Sequence, residues 1–129
     1  MVDLNKYREQ NQFMGHNHIE PIKAENDSSE VKLVICNESR NPRGFVHGGL
    51  LMTMADCAAG LAARCDGRDY VTQTANVNYI SNVKDGEVRA YGSVIHRGGT
   101  VTIVRVQIVG PEEKLLAEAT MNMFCVTRK

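Results

Sequence analysis

A chain of 129 residues is enough for one domain with its own core and too short for two ordinary ones. With 15 Lys and Arg against 15 Asp and Glu, no global field draws it to nucleic acid or to a charged membrane surface. No apolar run approaches the roughly 18 residues of a membrane span. Met1-Val2-Asp3-Leu4-Asn5-Lys6 lacks a signal-peptide core, so a cytoplasmic protein is expected.

Residues 1–16 are polar with sparse apolar positions, which suits an N-terminal arm or short helix. Ile19 to Ala24 reads as extended, and Asn26-Asp27-Ser28-Ser29 as a turn. Val31, Leu33 and Ile35 alternate with Lys32, Val34 and Cys36, a strand pattern. Asn37 to Gly44 holds Asn37, Ser39, Asn41, Pro42 and Gly44, and so reads as loop. The one strong helix runs from about Gly49 to Arg64. Leu50, Met54, Ala58 and Leu61 form one ridge, with Leu51, Ala55 and Ala62 beside it. The remaining face, Met52, Thr53, Asp56, Ala59, Gly60 and Ala63, is small and carries a single charge. A helix apolar nearly all round belongs inside a protein.

Four strands are expected to follow. Tyr70 to Ile80 sets Val71, Ala75, Val77 and Tyr79 against Thr72, Thr74, Asn76 and Asn78. Val88 to His96 comes after the turn at Lys84-Asp85-Gly86. Val101 to Val109 lies between Gly98-Gly99 and Gly110-Pro111, and Leu115 to Val126 closes the chain. Short turns imply antiparallel neighbours. An apolar sheet face needs a cover, and this helix is the only adequate one. The expected fold is therefore α+β: one long central helix wrapped by a curved antiparallel sheet of about five to six strands, in a single domain over 1–129.

Cys36, Cys57, Cys65 and Cys125 have no two-apart spacing and read as reduced structural thiols. His16 and His18 are accompanied by no Cys or carboxylate cluster, so no metal is expected.

Two local rules are broken around the helix, and broken rules often mark function. Asp56 is the only charge between Leu50 and Ala63, where an unpaired buried carboxylate costs several kcal/mol. Two readings stand: a functional carboxylate, or one reaching a lysine or buried hydroxyl purely for structure. The helix start, His47-Gly48-Gly49, lacks the usual cap residues and has two poor helix formers. Unshielded N–H groups at a helix N-terminus suit a negatively charged oxygen, the requirement of an oxyanion hole. Gly48 and Asp56 are eight positions apart, roughly 12 Å along one helix. Reacting atoms must come within about 3.5 Å. If both groups serve one reaction, they come from two subunits of a symmetric dimer.

Asn41-Pro42-Arg43-Gly44-Phe45-Val46-His47-Gly48-Gly49, with Asp56 nine positions after His47, resembles the PaaI-type hotdog-fold acyl-CoA thioesterases. The resemblance extends through Tyr70 to Ile80. It implies a homodimer, often paired into a homotetramer, that hydrolyses an acyl-CoA substrate without a further cofactor. By that resemblance Asp56 is the general base or nucleophile, the Gly48 N–H the oxyanion donor, and Asn41 an orienting amide. His47 holds the loop and helix start, and Thr72 positions the water, with Thr74 as the alternative. Gly49, Tyr79, Ser81, Lys84, Arg97 and Gly98 stand where substrate or CoA contacts are implied. The sequence departs from the family at Ser81-Asn82 and at Gly99, both in regions that often touch CoA in relatives.

Met52, Met54, Met121 and Met123 fit a plain core or an adaptable apolar pocket, and a broad or aryl-acyl range is expected. Two other functions fit the same fold: an enoyl thioester hydratase or dehydratase, and a non-catalytic acyl-CoA-binding protein. Water addition without thiol release would mark the first. Tight binding without turnover would mark the second.

Overall fold

Asp3 starts the first helix by accepting the Lys6 amide at 3.1 Å, and Asn11 repeats the device on Met14 at 3.2 Å. In the computed structural model, which describes residues 2–127, the N-terminal arm is therefore two short helices: α1 (Leu4–Gln10) and α2 (Gln12–His16). Met1, Arg128 and Lys129 of the expected domain lie outside the described residues.

β1 (Ile19–Glu25) and β2 (Ser28–Val34) form a hairpin whose central residues, Asn26 and Asp27, have φ of 52° and 56°. Such a left-handed pair suits a two-residue hairpin turn and is tolerated by Asn and Asp. The tight turn leaves Ser28 already paired with Glu25, so β2 starts three residues earlier than its alternation suggests. It stops at Val34, and Asn37–Ser39 is a single 3-10 turn. After α3 (Gly48–Ala63) come β3 (Tyr70–Tyr79), β4 (Glu87–His96), β5 (Val101–Val109) and β6 (Leu115–Cys125).

All pairings are antiparallel, in one six-stranded sheet of order β1-β2-β4-β5-β6-β3. The sheet curves around α3, whose Leu51, Met54, Ala58 and Leu61 are fully buried against Val31, Leu33, Val88, Val104, Val106 and Met121. Helix and sheet are held close at Ala58. Ser29 Oγ donates to its carbonyl at 2.6 Å, and a Cβ on Gly92 would sit 2.9 Å from the same oxygen. Any side chain at position 92 would push α3 off β4.

β3 departs from strict alternation, and the departure positions the site. Thr72 pairs with Met123 but Thr74 with Asn122, so Gln73 is the extra residue of a bulge. Paired residues share a face, and Cys125, Met123 and Met121 are buried. Tyr70 and Thr72 therefore point inward with Ala75, Val77 and Tyr79, and Val71 points out, 50% exposed. The expectation that Val71 faces the core and Thr72 faces away is overturned by this one inserted residue.

The two sheet edges differ. β1 carries Pro21, the three charged residues Glu20, Lys23 and Glu25, and an irregularity between Pro21 and Lys23. These are the usual protections of an edge. β3, at the other end, has neither a charged residue nor a proline over its ten residues.

Candidate active site

The helix start is capped after all, by an uncommon residue. His47 is extended, with φ −61° and ψ 132°, and its Nδ1 accepts the Gly49 amide at 2.9 Å. The imidazole does what Ser or Asp does at most N-termini. Gly49 therefore has no N–H to offer a substrate, contrary to expectation. Its Cα also lines a different depression, together with His47, Phe13 and Thr53. The Gly48 N–H has no acceptor among the described residues. It stands alone at the positive end of the α3 dipole.

Around Gly48 lies a shallow depression of about 520 Å³ lined by Asn41, Arg43, Phe45, Tyr79, Ile80, Ser81 and Asn82. Tyr79 Oη donates to the Gly48 carbonyl at 2.8 Å. Asn41 Oδ1 accepts the amides of Arg43 and Phe45 at 2.9 and 3.1 Å, which aligns the loop. Its Nδ2 has no acceptor among the described residues, and so remains a free donor in the depression that Gly48 also lines. Ser81 lines the depression, but its hydroxyl is spent on the Leu115 carbonyl at 2.6 Å. Lys84 rests its ammonium 5.0 Å from the centre of the Phe45 ring. Arg43, which the sequence reading quoted but did not single out, lines the same depression with no acidic partner among the described residues.

Asp56 occupies a second depression, of about 380 Å³, lined also by Tyr7, Asn11, Gly60, Arg64, Tyr70, Thr72 and Met123. In one chain Asp56 is exposed, which corrects the expectation of a buried acid. The reason is topological. Asp56 lies on the flank of α3 where the sheet ends, next to the bare strand β3. Thr72, turned inward by the bulge, donates its hydroxyl to Asp56 Oδ1. Thr74, beyond the bulge, faces the other way and does not reach Asp56.

Tyr7 was not anticipated, because an N-terminal arm carries no signal of where it docks. Its hydroxyl lies over Gly60, where a Cβ would come within 3.4 Å, and Arg64 stacks 5.6 Å from its ring centre. Burial, reinforced by the negative charges nearby, pushes the Tyr7 phenol well above its ordinary range. Burial first, then the Asp56 carboxylate, pushes the neighbouring Cys57 thiol up to about 12. Both are therefore neutral near pH 7. Of Met52, Met54, Met121 and Met123, Met54 and Met121 are plain core, and Met123 is buried beside Thr72 at the floor of the Asp56 depression. Met52, 41% exposed, stands one turn from Asp56 on the same helix.

Arg97 and Gly98 do not join either depression. Arg97 Nη1 donates to the Ala63 carbonyl at 2.6 Å, and Nη2 to the Asp27 carboxylate at 2.7 Å and the Ala62 carbonyl at 3.3 Å. It satisfies the carbonyls left over at the C-terminal end of α3. A Cβ on Gly98 would sit 2.2 Å from the Val101 oxygen, and the Gly98 carbonyl accepts from Arg68 at 2.7 Å. Both are structural here. Arg97→Ala is expected to lower unfolding stability by roughly 1–3 kcal/mol, the scale of a lost charged hydrogen bond. Urea titration measures that loss, and KM for the substrate should stay unchanged.

One long helix inside a six-stranded antiparallel sheet, with an acid near its middle and a free amide at its start, defines a hotdog-fold protein. The chain belongs to the thioesterase superfamily, whose family model matches residues 43–117. By that membership it is a thioester hydrolase. The chain is 29% identical to the 1,4-dihydroxy-2-naphthoyl-CoA hydrolase of Listeria monocytogenes over 76% of its own length and 82% of that protein. A hypothetical thioesterase from Streptococcus pneumoniae, solved with coenzyme A, is 30% identical, with a TM-score of 0.80 over 86% of this chain and 90% of that one. That protein has also been solved with alanine in place of an aspartate and, separately, of a threonine 16 positions later. The Escherichia coli PaaI protein of the phenylacetic acid degradation operon shares the fold, with a TM-score of 0.90 at 19% identity over 95% of this chain and 90% of that one.

Proposed function

We propose that this protein hydrolyses acyl-CoA thioesters in a site shared between two copies of the chain, with Asp56 from one and the Gly48 amide from the other. The observation that carries the reading is the Thr72–Asp56 pair on an open flank of α3. The Asp–Thr spacing of 16 also matches the pair replaced by alanine in the pneumococcal relative.

Ten uncharged strand residues at a free edge invite another strand to pair with them. Pairing β3 with the β3 of a second copy covers Asp56 and supplies a second α3 N-terminus. The homodimer is thus the working unit, with two equivalent sites, and a homotetramer is the expected higher assembly. In the reaction, Asp56 takes a proton from water while Thr72 holds its other oxygen. The water oxygen bonds to the thioester carbon. The oxyanion so formed accepts from the Gly48 N–H, with Asn41 Nδ2 beside it. Collapse breaks the carbon–sulfur bond, and the thiolate of CoA takes up the proton that Asp56 received. No cofactor enters these steps. His47 acts through Gly49, holding the turn. Tyr79 fixes the Gly48 peptide, and Arg43 and Lys84 are the cations available to CoA phosphates. Met52 faces the acyl group, and its adaptable thioether suits a broad or aryl-acyl range. Neither nucleic acid nor a membrane is a partner in this reading, and the cytoplasm, where acyl-CoA is made and used, is its place.

Thiol release from a panel of acyl-CoA substrates tests the proposal. Release with none of them, despite tight binding of intact acyl-CoA, would leave a binding protein instead. Thr72→Val removes one hydrogen bond to a charged group, worth about 1.5–3 kcal/mol, so kcat should fall on the order of 10- to 100-fold with KM little moved.

A further inference from the structure

We infer that His18, Cys36 and Glu38 form a binding site for a divalent transition metal, zinc by its donor set, outside both halves of the acyl-CoA site. The donor atoms of the three side chains all lie within 4.8 Å of one another. They come from separate points of the chain. His18 stands just before β1 and Cys36 just after β2, and the Ile19–Leu33 pairing brings those two strand ends together. Glu38 follows on the 3-10 turn that Cys36 opens. His18 holds a φ of 63°, a conformation uncommon outside glycine, in the turn that leads from α2 into β1.

One imidazole, one thiol and one carboxylate are a poor match for magnesium or calcium, which prefer oxygen ligands throughout. They match zinc, with bonds of about 2.0–2.3 Å. Ligand atoms around a tetrahedral zinc at those bond lengths stand about 3.3–3.8 Å apart, from simple tetrahedral geometry. The present spread closes to that by rotation of the His18 and Glu38 side chains, both of which are exposed. Glu20 lines the same depression and can supply a fourth oxygen. Lys32, the cation there, is turned to Glu87 at 3.8 Å, which leaves the local field negative. Ser39 links the site to the helix start. Its hydroxyl accepts the Cys36 amide at 3.1 Å, and its carbonyl accepts the His47 amide at 2.8 Å. A metal here would stiffen the turn that carries the α3 cap.

Cobalt(II) reports the site directly, because a bound thiolate gives a charge-transfer absorption in the near ultraviolet. Reduced, chelator-treated protein titrated with cobalt should develop that band to one equivalent per chain, and zinc should remove it. Cys36→Ser should abolish the band, whereas Cys65→Ser should retain it. His18→Ala and Glu38→Gln, both at exposed positions, should each weaken cobalt binding by about tenfold or more, at least the effect of losing a supporting contact. No band in the wild type, a band that survives Cys36→Ser, or unchanged affinity in both His18→Ala and Glu38→Gln would overturn the assignment.

Discussion

Asp56→Asn should cut kcat for acyl-CoA hydrolysis by about 10²–10⁴-fold while leaving the fold intact. The amide keeps the size of the carboxylate and can still accept from the Thr72 hydroxyl through its own oxygen, so the geometry around position 56 is preserved. What disappears is the ability to take a proton from water or to attack carbon. KM should move little, because the acid meets the reacting atoms and not the bulk of CoA. Since Asp56 is exposed in a single chain and makes no ion pair among the described residues, its neutralisation should not lower the unfolding temperature. Steady-state thiol release together with a thermal melt separates the two effects. Turnover within about threefold of the wild type would remove Asp56 from the chemistry, on the scale that general-base loss requires. A single turnover in heavy-oxygen water tests the nucleophilic role: label in the peptide that holds Asp56 would show an anhydride opened by water at the Asp56 carbon.

The second large effect belongs to the other half of the site. Gly48 is the first residue of α3, and its N–H has no acceptor among the described residues. That is the one helical position where proline is well tolerated, and His47 before it already has the extended conformation that proline demands. Gly48→Pro therefore deletes one donor and leaves the helix. A loss of about 10²–10³-fold in kcat is expected, the magnitude seen when a single oxyanion donor is removed. The pair of variants also tests the shared site. Co-expressed at equal levels with different tags, Asp56→Asn and Gly48→Pro chains form mixed dimers in half of all cases, and each mixed dimer has one site with both groups intact. Activity should recover to about a quarter of wild type, as two-fold symmetry requires. If each chain carried a complete site, the mixture would be as inactive as its components.

How much of this was legible in the residues varies by element. The α3 periodicity is so strong, with apolar residues on every ridge, that its place inside a sheet follows from solvation alone. β6 alternates from Ala117 onward, with Ala117, Ala119, Met121 and Met123 buried, and breaks only at Leu116, where the register against β5 shifts. β3 misled because a bulge shifts the period by one at Gln73, and nothing in Thr72-Gln73-Thr74 announces it. Arg97 misled for a different reason. A basic residue in a hairpin looks free until the helix end it caps is in view. Tyr7 and the His18–Cys36–Glu38 group were invisible because each depends on segments distant in sequence meeting in space.

The amino-acid order by itself determined the element types, the buried helix, the acid on it and the free amide at its start, since these rest on local periodicity and on the spacing of residues along one helix. Its rise per residue also separated Gly48 from Asp56, and so called for a second copy. Only the tertiary structure decided that Asp56 stands at an open sheet edge, that Thr72 and not Thr74 reaches it, and that His47 takes the Gly49 amide. Each of those is a contact between elements, governed by register, edge and crossover, and register carries no local signature when one residue can slip it.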